Sequence, residues 1–254
     1  MALLKANKLT MQFGGLTAVS DFSIEIGDND LFGLIGPNGA GKTTVFNMLT
    51  GVYAPTKGEI TFDNKNITGL KPYEITHGGV ARTFQNVRLF KELSVIDNVK
   101  ISFNHEKSAT LVESIIRLPK FFSSEDEIEK EAYELLKVFN LHEKANELAK
   151  NLPYGEQRRL EIARALGAKP KLLLLDEPAA GMNPQETTEL MELITWVRNH
   201  FKIAILLIEH DMKLVMGICE NIVVLNYGEI LAVGTPDQVK NNPEVIKAYL
   251  GEEA

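Results

Sequence analysis

Gly36-Pro37-Asn38-Gly39-Ala40-Gly41-Lys42-Thr43 lies between the apolar run Leu31-Phe32-Gly33-Leu34-Ile35 and the helix-compatible stretch Thr44-Val45-Phe46-Asn47-Met48-Leu49. The eight residues fill the pattern G-x-x-x-x-G-K-[ST] in the setting it needs, a strand before and a helix after. A strand that enters a glycine-rich turn and leaves as a helix points several backbone N–H groups at one spot, where the positive end of the helix dipole also lies. Polyphosphate is the ligand that such a spot selects. The glycines let main chain approach the oxygens unhindered. Lys42 is placed to reach the β- and γ-phosphates, and the Thr43 hydroxyl to bind Mg²⁺.

The chain around this loop has 254 residues, 44% of them hydrophobic, which suits one large domain or a core with an inserted subdomain. A net charge of −7 argues against nucleic acid as a partner. The single cysteine, Cys219, cannot form an intrachain disulfide, fits a reducing compartment and reads as core filler. The N-terminal residues carry no signal-peptide pattern, and no run of about 18 apolar residues occurs, so attachment to a membrane would fall to another subunit.

Strand-like and helical patterns alternate, which predicts an α/β architecture. Residues 4–9 and 19–26 alternate polar and apolar, as half-exposed antiparallel strands do; Gly58-Glu59-Ile60-Thr61-Phe62 adds a third strand. Leu172-Leu173-Leu174-Leu175 and residues 203–208 are continuously apolar, as central strands covered on both faces are. Residues 222–233 read as a closing hairpin around Tyr227-Gly228. Helical spacing dominates from about residue 89 to 167. There Ser124-Glu125-Asp126-Glu127 has the form of a capping box, followed by a face of Ile128, Ala132, Leu135, Leu136 and Phe139; the charged residues 125–130 read as a solvated face. A second helix is expected over residues 158–166 with Gly167 as its cap. The core is thus placed at 1–87 and 168–254, and an inserted helical subdomain at about 88–167. No repeat or low-complexity tract is present.

Four further elements carry chemistry. Leu175 is followed by Asp176-Glu177-Pro178, two carboxylates at the end of a buried strand, where ligands of open parallel sheets bind. Adjacent strand residues face opposite ways, so the two are expected to do different work: Asp176 assists Mg²⁺, and Glu177 polarises an attacking water as general base. Taken alone the pair reads as a turn; the upstream phosphate loop favours the catalytic reading. In Ile208-Glu209-His210-Asp211, His210 is placed to donate to the γ-phosphate. In Arg82-Thr83-Phe84-Gln85-Asn86, Gln85 is a neutral amide able to touch Mg²⁺ or the lytic water. Leu152-Pro153-Tyr154-Gly155-Glu156-Gln157 leads into the second helix, and backbone N–H groups at a helix start form a further anion site. Two such helix starts on one chain suggest a head-to-tail dimer with each ATP between one chain's phosphate loop and the other's second site.

Over essentially its whole length the chain resembles the ATP-binding subunits of ABC transporters. Residues 36–43 match the Walker A motif, making Gly36, Asn38, Gly39, Ala40, Gly41, Lys42, Thr43 and Thr44 the implied nucleotide contacts. Residues 172–177 match Walker B, Gln85 the Q-loop glutamine and His210 the switch histidine. Phe13 matches the aromatic that stacks on adenine, and Ala179-Ala180-Gly181-Met182-Asn183-Pro184 the D-loop. Implied are a P-loop core with an N-terminal antiparallel β subdomain, Mg²⁺-dependent ATP hydrolysis, and catalytic roles for Glu177, His210, Lys42 and Gln85. Thr43, Gln85 and Asp176 are the implied metal contacts; Tyr154, Gly155 and Glu156 are those to nucleotide across the dimer.

Within that family the chain is most similar to the G-type subunits of branched-chain amino-acid importers, on Ile67-Thr68-Gly69-Leu70, residues 79–86, the D-loop and residues 242–251. Urea or amide importers, lipopolysaccharide exporters and soluble ABC ATPases remain alternatives, although neither a coiled-coil insert nor a duplicated cassette is present. The implied partners are a second, different ATPase subunit, permeases and, indirectly, a solute-binding protein, with the chain peripheral on the cytoplasmic face of the inner membrane. Two departures stand out. The signature reads Leu152-Pro153-Tyr154-Gly155-Glu156, and Pro153 offers neither hydroxyl nor N–H; Asn183 stands where Asp is usual. Val87, Leu89, Phe90 and Leu93 either line a groove for the membrane subunits or pack the insert's own core.

Overall fold

The computed structural model describes residues 2–103 and 119–250. Gly251, the last of the subfamily cues, lies outside them. The described residues form two compact units, Met1–Gln85 with Lys171–Ala254, and Asn86–Pro170.

The first unit holds two sheets. One is antiparallel, ordered β2-β1-β4-β5, from β1 (Ala2–Phe13), β2 (Leu16–Gly27), β4 (Lys57–Phe62) and β5 (Lys65–Asn66). The other is ordered β10-β9-β3-β8-β7-β6. Its strands β3 (Leu31–Ile35), β6 (Val80–Arg82), β7 (Leu172–Asp176), β8 (Ala204–Ile208) and β9 (Asn221–Asn226) run parallel, and β10 (Glu229–Gly234) returns antiparallel beside β9. The alternating sequences became the half-exposed sheet and the continuous apolar runs the central strands, because only the latter have both faces covered. Every residue of β3, β7 and β8 is buried. Helix α1 (Lys42–Leu49) buries Val45, Phe46, Met48 and Leu49 in one cluster with residues of both sheets, among them Leu4, Phe22, Leu174 and Leu206. Gly33 in β3 is closely packed: a Cβ there would lie 3.0 Å from Val215 and 3.1 Å from the buried Cys219 sulfur, so those side chains would have to shift by a few tenths of an ångström.

The second unit is helical. It contains α3 (Val95–Phe103), α4 (Pro119–Val138) and α5 (Tyr154–Gly167); α2 (Pro72–His77) belongs to the first unit. Two sequence expectations fail here. Helix α4 begins before the proposed capping box, so Ser124 is a helix-interior position; the buried face of Ile128, Ala132, Leu135, Leu136 and Phe139 is as expected. Helix α5 starts at Tyr154, and Gly167 is its last residue rather than its cap. The left-handed residue beyond it is Lys169, φ 48°. Gly167 instead packs closely on α3: a Cβ there would fall 2.0 Å from Ser102 Oγ, so that hydroxyl would have to turn aside. Phe90 and Leu93 are exposed and so lie outside the unit's own core.

Candidate nucleotide site

The site is built from the carboxyl ends of β3, β6, β7 and β8, adjacent in the sheet. At the end of β3 the chain needs three left-handed glycines, Gly36, Gly39 and Gly41, with φ of 152°, 81° and 102°. A side chain at Gly36 would meet the Leu225 carbonyl oxygen at 2.2 Å, and one at Gly41 the Ala18 carbonyl at 2.8 Å. Gly41 then caps α1 with no side-chain acceptor, which leaves the first-turn N–H groups facing the loop. Asn38, Gly39 and Thr43 are exposed and Thr44 half-buried, whereas Gly36 and Ala40 are buried in the floor of the turn. Lys42 is itself buried. Its ammonium donates to the carbonyls of Gly36 (2.6 Å) and Pro37 (2.9 Å), folding back over the loop. Burial lowers its pKa; the nearby charges of Glu177 and then Asp176 act in the opposite sense.

The acid pair diverges, though not for the reason the strand pattern suggested. Strand β7 ends at Asp176, and Glu177 turns into the left-handed region at φ 46°. Alternation along a strand therefore does not apply; the backbone turn re-aims Glu177. Its Oε2 accepts a hydrogen bond from Gln85 Nε2 at 2.8 Å, and His210 Nδ1 lies 3.7 Å from the same oxygen. Gln85 and His210 are exposed and Glu177 half-buried, so the trio meets at the surface beside the phosphate loop's lysine.

Asp176 takes a partner that the sequence reading did not name. Arg82, the last residue of β6, donates from Nη2 to Asp176 Oδ2 at 2.7 Å, and both side chains are below 10% exposed. Its other nitrogen, Nη1, donates to Asn47 Oδ1 (2.8 Å) and Thr50 Oγ1 (3.2 Å) at the end of α1. One guanidinium thus joins β6, β7 and the helix that follows the phosphate loop. The signal was present in the sequence: a charged residue ends a short apolar strand, Val80-Ala81-Arg82, three positions before Gln85. Glu209 is a second omission, a charged residue directly after the five buried positions of β8 and itself fully buried. Tyr249, within the C-terminal cue, lies on the helix Pro243–Leu250. Although the residue is 37% exposed, partial desolvation pushes its phenol up to about 12, against the opposing pull of a hydrogen bond from the Gly36 backbone. A cavity of about 710 Å³ lies here, lined by Asn38, Gly39, Tyr227, Glu244 and Lys247 among others.

The remaining sequence-derived positions lie as follows. Phe13 ends β1, 43% exposed, with its ring edge-on to Tyr53 at 5.3 Å. In the second unit, Tyr154, Gly155 and Glu156 form the first turn of α5, with Pro153 as its cap. Tyr154 is exposed and accepts a hydrogen bond from the fully buried Arg158 (3.2 Å), while Glu156 accepts from Lys144 through both oxygens (2.8 and 2.7 Å).

The donor set fits Mg²⁺. A hydroxyl (Thr43), a carboxylate (Asp176) and an amide (Gln85) are hard oxygen donors, few enough to leave positions for phosphate oxygens and waters, which is how Mg²⁺ is commonly held.

Comparison with known proteins bears on family and fold. The family model described as "ABC transporter" matches residues 19–180, and one described as "Branched-chain amino acid ATP-binding cassette transporter" matches residues 229–254. The sequence is 52% identical over 250 residues to the high-affinity branched-chain amino acid transport ATP-binding protein LivG of Escherichia coli (strain K12), covering 98% of each chain. It is 50% identical, at the same coverage, to BraF of Pseudomonas aeruginosa, which carries the same description. The lipopolysaccharide export ATP-binding protein LptB of Haemophilus influenzae is 34% identical over 100% of this chain and 99% of its own. In structure the chain is similar to the ADP conformation of MJ1267, an ATP-binding cassette of an ABC transporter, with TM-score 0.86 at 30% identity over 99% and 100% of the two chains.

Proposed function

This chain belongs to the ABC transporter family of ATP-binding proteins, and we propose that it is the ATP-hydrolysing motor of an importer for branched-chain amino acids. The observation that carries the catalytic part is the meeting of Gln85 and His210 on one oxygen of Glu177, beside the glycine loop and Lys42. The likeness to LivG and BraF, together with the C-terminal family match, supports the cargo. The full-length likeness to LptB makes lipopolysaccharide export the second reading.

The residues divide the work. Backbone N–H groups of residues 36–43 hold the phosphates, and Lys42 exchanges its two loop carbonyls for β- and γ-oxygens. Phe13 offers its exposed ring to adenine. Glu177 takes up the proton of the attacking water, which Gln85 orients, and His210 donates to the departing γ-phosphoryl oxygens. Thr43, Asp176 and Gln85 would hold Mg²⁺, whose charge offsets that of the triphosphate.

The helical unit, placed by sequence at about 88–167, carries the signature at Tyr154, Gly155 and Glu156. In a head-to-tail dimer those residues close over the ATP of a second, different ATPase chain. Phe90 and Leu93, exposed on the same unit, meet the permease subunits. Among the described residues no helix is long and apolar enough to cross a membrane, so the chain is held peripherally, on the cytoplasmic face, by those subunits; a solute-binding protein delivers the cargo to them. Pro153 removes a hydroxyl and an N–H from the partner's site and leaves this chain's own Glu177 as the main source of turnover. Transport assays on the reconstituted complex test this. Glu177→Gln is expected to stop amino-acid uptake more completely than the matching change in the other ATPase; equal losses would refute the asymmetry.

A further inference from the structure

Strands β7 and β8 are hydrogen-bonded in parallel register up to Asp176 and Ile208, and one further bond, Glu177 N–H to the Ile208 carbonyl (2.9 Å), ends the ladder. Pro178 has no N–H to continue it. The next donor, Ala179 N–H, opens the segment that runs to the Asn183 cap of the following helix, and a side chain receives it: Glu209 Oε1, at 2.8 Å. The other oxygen of the same carboxylate accepts from the backbone N–H of His210 (3.0 Å) and of Asp211 (3.3 Å), and lies 3.6 Å from His210 Nδ1. The carboxylate is fully buried. Burial raises its pKa, and the three N–H donors oppose that shift. An ordinary structural role could be filled by any small acceptor on one segment. Here one rigid group takes donors from both segments that flank the catalytic trio, the loop after Glu177 and the turn that carries His210.

We propose that Glu209 is a positioning residue for ATP hydrolysis, fixing the segment that begins at Ala179 to the turn of His210 so that Glu177 and the imidazole keep their mutual placement. The proposal rests on the ATPase reading above. Glu209 acts through Ala179 and the turn of His210, whose backbone N–H groups it accepts. Glu209→Gln keeps the shape but turns an N–H₂ toward backbone N–H groups, so at least one of the two segments loses its acceptor.

The test uses the full chain assembled with its partner subunits. Phosphate release is measured over a range of ATP concentrations, and backbone amide exchange is followed at residues 179, 210 and 211. Glu209→Gln is expected to lower kcat at least tenfold with KM for ATP within twofold of the parent, and to speed exchange at those amides while the rest of β7 and β8 stays protected. Glu209→Asp retains the charge but is one methylene shorter; it is expected to release Ala179 alone and to fall between the two in kcat. This second variant decides the matter if Glu209→Gln does not fold. Parental kcat in both variants would overturn the proposal, as would kcat, KM and exchange across both strands changing together, the mark of a general packing role. If the parent complex itself releases no phosphate, the ATPase reading is at fault instead.

Discussion

Arg82 and Asp176 form an ion pair at 2.7 Å inside the first unit, with neither side chain more than 9% exposed. The aspartate proposed to assist Mg²⁺ is therefore held by a strand-end arginine, which also binds Asn47 of α1 and Thr50, the residue that caps it. Two charges taken out of water are tolerated because the geometry is close and both terminal nitrogens of the guanidinium are hydrogen-bonded, although its Nε is buried without a partner. Its carbon also lies over the rings of Phe46 and Phe84, at 5.4 and 5.3 Å.

Removing one partner leaves the other charged and buried. Arg82→Met is expected to cost about 3–5 kcal/mol in urea unfolding. The double variant Arg82→Met/Asp176→Asn should cost clearly less than the sum of the two single changes. Arg82→Lys should recover only part, since an ammonium cannot span Asp176, Asn47 and Thr50 with a fork. Additive losses would show that the pair is not coupled.

The phosphate loop's glycines are not equivalent. Gly36→Ala forces a side chain to within 2.2 Å of a carbonyl oxygen at φ 152°, and is expected to cost about 3 kcal/mol or more, or to prevent folding. At Gly39 the φ is 81° but nothing lies within 4 Å, so Gly39→Ala should cost about 1–2 kcal/mol, the left-handed penalty alone. Thermal unfolding of the two variants checks the order.

Lys42 separates binding from stability. Lys42→Met removes the charge aimed at the phosphates. The loss of one charge-assisted hydrogen bond, about 1.5–3 kcal/mol, is a rise in nucleotide Kd of about 10- to 100-fold. The nucleotide-free chain should lose little stability, because burial disfavours the ammonium in the folded state. Fluorescent-nucleotide titration and thermal unfolding, run side by side, test both halves.

Cys219 should shape the alkaline limb of stability. Burial pushes its thiol from 9.0 up to about 12, with the Glu220 charge adding to the shift. The folded state keeps the proton while the unfolded chain gives it up, so the contribution to stability is intact below about pH 9 and is lost as pH rises toward 12. Within that window each pH unit removes about 1.4 kcal/mol. Cys219→Ala should unfold less steeply with pH there, and the native thiol should resist alkylation at pH 8 until the chain is denatured.

The sequence by itself determined the glycine loop, the buried β7 and β8, the half-exposed antiparallel sheet and the candidacy of Lys42, Glu177, Gln85 and His210. Those signals are local: a spacing, an apolar run or a residue following a strand reports on its own few neighbours. Only the tertiary structure decided what the buried charges do. Arg82 meets Asp176 across 94 positions of chain and Glu209 meets Ala179 across 30, and no window of sequence contains such pairs. The direction of Glu177 also belongs here, since strand periodicity stops at Asp176 and a left-handed backbone set by the folded sheet takes over. Gly167 makes the same point, read locally as a helix cap but found as the helix's last residue, packed against Ser102 of α3. Burial makes an unpartnered charge or a misplaced methyl costly, and burial is a property of the assembled fold.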